Sequence, residues 1–228
     1  MSLERGETVV SPLLLGGLTP DEERSVTSRA VSRRLREGQT LFREGEPAEA
    51  LFQVQAGRLR LSQVTHGGRA VTVRFTGPGE VCAALAVLDG KAYPFTATAV
   101  VATSVLLWSR GSLRELLQLH PRLERNVLDV VGVHARETLD KFRELATEPV
   151  PRRVARALLR LLRLGRPHRD GGVVLEHVRQ RDLAELAASS PYTVNRVLAE
   201  WRTRGILEKR RAGLVIRSPA QLRRIAEA

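Results

Sequence analysis

A chain of 228 residues is long enough for two domains with a core in each, and its 43% hydrophobic and 27% charged residues are ordinary for a globular protein. The single cysteine, Cys82, excludes an internal disulfide framework and any four-cysteine zinc or iron–sulfur site within one chain. The net charge of +12 is unevenly placed: residues 1–146 hold 19 Lys+Arg against 17 Asp+Glu, and residues 147–228 hold 18 against 8, as expected for a basic nucleic-acid-binding module joined to a nearly neutral one.

The N-terminus carries only a short apolar run, Pro12 to Leu18, without the basic and apolar regions of a signal peptide. No apolar run reaches membrane-spanning length, so a cytoplasmic protein without membrane contact is expected. Residues 19–28 read as a helix with Thr19 as cap, Pro20 in its first turn and acids at its positive end. The next hundred residues alternate apolar and polar types in short runs, "LFQVQAG", "RLRLSQV", "AVTVRF" and the two strands of "FTATAVVATSVLLWS". Turns at His66–Arg69 and "TGPGE" separate them, so an antiparallel barrel or roll is expected.

The period then lengthens. "SLRELLQL" is a short helix, and Pro121 opens a long one. Along it Leu123, Val127, Val130, Val131, His134, Thr138, Phe142 and Leu145 recur at spacings of three and four, a seam close to a heptad. Such a stripe needs a cover, and a second copy of the helix supplies one; a homodimer is expected, with Val127, Val130, Val131, His134, Thr138 and Phe142 in its seam. Pro149 and Pro151 end the long helix. An amphipathic helix up to Gly165 follows, then a turn at Asp170-Gly171-Gly172 between short strands, two short helices, a basic-tipped hairpin and a terminal helix. The fold class is α+β: an N-terminal antiparallel β-roll of jelly-roll type (1–118), a dimerisation helix (119–147) and a C-terminal winged helix-turn-helix (148–228).

Two helices joined at "AASS" have helix-turn-helix spacing. Ser190 caps the second and Pro191 starts it, so Tyr192, Asn195 and Arg196 fall on the turns that enter a major groove. Arginine can read the O6/N7 edge of guanine through two hydrogen bonds, and asparagine can read adenine. Gln180, Ser190 and Thr193, with Lys209, Arg210 and Arg211 at the wing tip, suit the phosphate backbone. Val194, Val197, Leu198 and Trp201 form the opposite, core-facing stripe. An adaptor whose winged helix contacts protein is the alternative reading. The sequence holds no P-loop, no Gly-x-Ser-x-Gly elbow and no His-Glu-x-x-His, and no catalytic or metal-binding residues are assigned.

"FREGEPAEALFQVQAGRLRL", "GPGE", the long helix and "RDLAELAASSPYTVNRVLAEWRTRGIL" together resemble the CRP/FNR family of bacterial transcription regulators over nearly the whole chain. The resemblance implies a homodimer on a two-fold-related DNA site, an effector in the roll that reorients the reading heads, and contact with RNA polymerase. It also implies an effector pocket, with Cys82, Ala84, Leu85, Tyr93, Thr96 and Thr138 as candidates. In nucleotide-binding members a glutamate holds the ribose and an arginine the cyclic phosphate; here those positions fall on Ala84 and on or beside Tyr93. Cyclic AMP is therefore not the expected effector. Haem or nitric oxide sensing is an alternative: the haem-containing carbon monoxide sensor has a cysteine matching Cys82, but its histidine ligand falls on Ala84. At Tyr192 the family often has a glutamate that accepts from cytosine, so a different DNA site is expected.

Overall fold

The computed structural model describes residues 12–68, 70–169, 171–211 and 213–228. Residues 1–11 and Arg69, Asp170 and Ala212, which belong to three turns read from the sequence, lie outside the described residues. The contacts divide the chain into two units, one of residues 1–70 and 75–136 and one of residues 71–74 and 137–228.

The first unit opens with α1 (Pro12–Leu15) and α2 (Pro20–Ser28). Thr19 and Glu22 cap α2 reciprocally, each side chain accepting from the other's backbone N–H. The strands follow as β1 (Val31–Leu35), β2 (Thr40–Phe42), β3 (Ala50–Ala56), β4 (Leu59–Val64), β5 (Ala70–Thr76) and β6 (Val81–Cys82). After α3 (Ala84–Asp89) come β7 (Thr96–Ala99), β8 (Thr103–Ser109), α4 (Arg110–Leu119) and the long α5 (Pro121–Thr147). Two antiparallel four-stranded sheets result, β1-β8-β3-β6 and β2-β7-β4-β5. Leu51 of β3 faces Trp108 of β8, and Leu61 of β4 faces Ala97 of β7, so alternate residues of both sheets enter one core. Trp108 donates its indole N–H to the Val26 carbonyl at 2.8 Å, fastening α2 to that core. The apolar run after Pro12 is fastened too: Leu14, Leu15 and Leu18 are buried, and Asn126 on α5 donates to the carbonyls of Leu14 and Gly16, both at 2.9 Å.

Helix α5 differs from its sequence reading in one respect. Val127 and Val130, placed in the dimer seam, are 0% and 3% exposed within a single chain and belong to the core of the first unit. Val131 and His134 are half-buried, while Thr138 and Phe142 are exposed. A three-four spacing identifies an apolar stripe but not what covers it, and here the roll's own core covers the first half of the stripe.

In the second unit, α6 (Val150–Leu161) is followed by β9 (Arg166–Pro167), β10 (Val173–Glu176), α7 (Gln180–Leu186), α8 (Pro191–Thr203), β11 (Leu207–Arg210), β12 (Gly213–Ile216) and α9 (Pro219–Glu227). The strands form one antiparallel sheet, β11-β12-β10-β9. Leu158, Leu175, Leu183, Val194, Ile206, Ile216 and Leu222 are fully buried, one or more from nearly every element. Residues 71–74 of β5 are tied into this unit by polar contacts. Glu185 accepts from the Thr72 N–H at 2.8 Å, Arg74 pairs with Glu137 at 3.0 Å, and Lys141 donates to the Val73 carbonyl at 2.7 Å.

Candidate nucleic-acid interface

Helices α7 and α8 are joined by a turn in which Ala188 takes a left-handed conformation, φ 45°. The Ser189 N–H donates back to the Ala184 carbonyl at 2.8 Å and closes the turn. Ser190 then caps α8, its hydroxyl accepting from the Thr193 N–H at 3.1 Å, and Pro191 supplies a first-turn residue that needs no partner for an N–H. The helix start is thus fixed by the sequence, and with it the direction of each side chain behind it. Val194, Val197, Leu198 and Trp201 are buried on one face. Tyr192 is 78% exposed on the other, with Asn195 and Arg196 also exposed.

The structure therefore brings the three expected base readers together on the solvent face of the first turns. Thr193 is half-buried, and its hydroxyl meets that of Ser190 at 2.9 Å, so both hydroxyls sit beside the helix start. Gln180 is half-buried at the start of α7. Lys209, Arg210 and Arg211 are exposed at the tip of the β11–β12 hairpin. Arg210 is held rather than loose: its Nη2 lies 2.6 Å from His168 Nε2. Arg217 lies 3.1 Å from His168 Nδ1 and pairs with Glu208 at 2.6 Å; hydrogen bonding from that guanidinium holds the Glu208 carboxyl below its usual range. Sequence reasoning passed over Arg202. It is exposed on α8 seven residues after Asn195, two helical turns on, and so lies on nearly the same side of the helix. The spacing alone could have found it.

Two family models match the chain, a cyclic nucleotide-binding domain over residues 32–120 and a Crp-like helix-turn-helix domain over residues 152–225. The chain is 31% identical to a Thermus thermophilus protein named cyclic AMP receptor protein over 213 residues, 93% of this chain and 96% of that one. It belongs to the CRP/FNR family of transcription regulators. It is also 29% identical to the transcriptional activator protein FnrA of Stutzerimonas stutzeri, over 77% of this chain and 72% of that one. The solved structure of FixK2 from Bradyrhizobium japonicum matches with a TM-score of 0.76 at 26% identity, covering 87% of this chain and 98% of that one. A CRP/FNR regulator is a DNA-binding protein, and α8 lies within the residues matched by the Crp-like helix-turn-helix model.

The candidate effector residues are placed differently from the expectation. Cys82, Ala84 and Tyr93 are packed into the core of the first unit. The Tyr93 ring stacks on Phe42 with centroids 4.0 Å apart, and its hydroxyl donates to the Ala50 carbonyl at 3.2 Å while accepting from the Ala50 N–H at 3.1 Å. Burial pushes the phenol above its ordinary pKa. Leu85 points to solvent at 59% exposure, the Thr96 hydroxyl accepts from the Glu44 N–H at 3.0 Å, and Thr138 belongs to the second unit. Where a ribose-holding carboxylate would stand, Ala84 presents a buried methyl, and Ala83 at the start of α3 offers no side-chain cap. These residues do not fit a nucleotide held through glutamate and arginine in the way the resemblance describes. A polar face does exist in the roll. Arg60 and Ser62 on β4 stand across from Thr98 and Thr96 on β7 and alternate with the core residues Leu59, Leu61, Ala97 and Ala99.

Proposed function

We propose that this CRP/FNR regulator binds a two-fold-related DNA site as a homodimer, with α8 reading bases in the major groove and the wing on phosphate. Residues 1–118 then serve as the sensor, 119–147 as the dimer element and 148–228 as the DNA-binding module, in a cytoplasmic protein that also contacts RNA polymerase. The observation that carries the reading is the polar first turns of α8, exposed at Tyr192, Asn195 and Arg196, on a helix whose other face is locked into a core by Val194 and Trp201. Homodimerisation is supported by a stripe that α5 leaves partly or wholly uncovered by the first unit's core. Leu128, Val131, Ala135, Thr138, Phe142 and Leu145 follow an alternating spacing of three, four, three, four and three, the a/d pattern of a coiled coil. Leu128, Phe142 and Leu145 are exposed. Cyclic AMP is not the effector in this reading, because Ala84 and Tyr93 supply neither a ribose acceptor nor a free cation.

The deciding experiment is selection of sites from random DNA, followed by binding of the selected site and of random DNA by the parent and by Arg196→Ala. A two-fold sequence is expected. Arg196→Ala should weaken the selected site by about 1–3 kcal/mol while changing random DNA much less. Selection that yields no preferred sequence favours the adaptor reading. Equal losses on both DNAs remove Arg196 from base reading.

A further inference from the structure

The first unit holds a groove of about 240 Å³ between α3, α4 and the start of α5, lined by none of the residues of the roll's polar face. Val87 and Leu88 form one wall and Leu113 and Leu117 the other, while Arg110 and Arg114 line it from successive turns of α4. We propose that this groove binds a small monocarboxylate carrying an apolar body.

The two guanidiniums carry the argument. Arg110 Nε is buried and has no hydrogen-bond acceptor. Its head is fixed against the backbone of Gly90, where a Cβ would collide with Nη2. Among the described residues neither arginine forms an ion pair or a side-chain hydrogen bond. Nearby acids are engaged elsewhere: Asp89 with Lys91 at 3.5 Å and Glu115 with Arg29 at 2.8 Å. Glu124 also lines the groove but is exposed, where water and salt screen it. An anion entering the groove would lie beside two guanidiniums that line it and give both cations a counter-charge, in the geometry that carboxylates match.

Size and lining narrow the class. The volume lies below the roughly 300–1,000 Å³ of sites for drug-sized ligands, so the occupant is fragment-sized. The two guanidiniums set against the Glu124 carboxylate leave one net positive charge beside four aliphatic side chains, which favours one carboxylate on a short acyl or aromatic body over a phosphate ester.

The test is calorimetric titration of the full chain with octanoate, with octanol as the neutral counterpart. Octanoate should bind one per chain with a Kd of about 1 mM or tighter, as expected for a ligand of this size. Octanol should bind at least about tenfold more weakly, the loss of one charge-assisted contact. Arg110→Gln and Arg114→Gln should each weaken octanoate by about the same factor. Arg114 is exposed, so its variant keeps the test readable if Arg110→Gln fails to fold. The proposal is overturned if octanoate shows no saturable binding, if octanol binds as well, or if Arg114→Gln binds like the parent. Because the groove is separate from α8, loss of DNA binding in the earlier experiment would leave this result unaffected, and the reverse holds as well.

Discussion

Arg160 grips Glu144 through both carboxylate oxygens, Nη1 donating to Oε1 at 2.7 Å and Nη2 to Oε2 at 2.8 Å. Glu144 is only 4% exposed, near the end of α5, and Arg160 stands on α6. Beside it Arg156 Nε reaches both oxygens of Glu148, at 3.0 and 2.8 Å. The turn from α5 to α6 is therefore bridged by two arginine–carboxylate pairs, the first of them a two-donor fork. Removing one partner strands a buried charge, so Glu144→Ala should destabilise by about 3 kcal/mol in urea unfolding. The double change Glu144→Gln with Arg160→Met should cost clearly less, because no ion is left unpaired. Equal losses would mean that the pair stabilises by more than its mutual compensation.

The turn before α8 contains a strained residue with an available remedy. Ala188 sits at φ 45° and is exposed, a conformation that costs a residue with a Cβ about 1 kcal/mol and glycine nothing. Part of the gain is lost to glycine's greater freedom in the unfolded chain. Ala188→Gly should raise stability by about 0.5 kcal/mol without altering DNA affinity. A destabilised variant would show that the left-handed turn is not strained.

Much of this fold was legible because burial repeats with the right period. Strand β7 alternates throughout and β4 and β8 alternate over their first residues, and α8 announces its own start through Ser190 and Pro191. The elements that were not read have physical reasons. Strand β1 is exposed at its first four residues, with Arg33 and Arg34 in the middle, so no face of it is marked. Helix α3 is six residues long and is entered through Ala83 at φ 71°, a left-handed position with no glycine to signal it. The effector candidates Cys82, Ala84 and Tyr93 rest on the family resemblance alone, and with Val81, Ala86 and Val87 they fill the core instead. The groove beside Arg110 had no sequence signal, because its residues come from three helices.

The wing offers a test of the phosphate contacts. Lys209 and Arg211 are exposed at its tip and, among the described residues, have no fixed partner in the manner of Arg210 with His168. Each cation that neutralises a phosphate contributes about 0.9 to the slope of log affinity against log salt. Lys209→Gln and Arg211→Gln should each lower that slope by about this amount, on the selected site and on random DNA alike. A change confined to the selected site would make either residue a base reader.

Lys141 makes the second unit sensitive to alkaline pH. Its Nζ donates to the Val73 carbonyl, and Arg160, Glu137, Arg74 and Glu144 face it. Desolvation, reinforced by the two arginines and opposed by the two glutamates, lowers its pKa from 10.5 to about 8. Between those values the unfolded chain holds the proton and the folded chain does not. Stability contributed by this group therefore rises as pH increases from about 8 to 10.5, by about 3 kcal/mol in all. At neutral pH the folded protein instead carries the full cost of a buried charge. Lys141→Met removes both effects. The variant should match or exceed the parent in urea unfolding at pH 7, and the parent should gain on it steadily as pH passes 8. Parallel pH profiles for the two proteins would show that the Lys141 amine is as well solvated in the folded state as in the unfolded one.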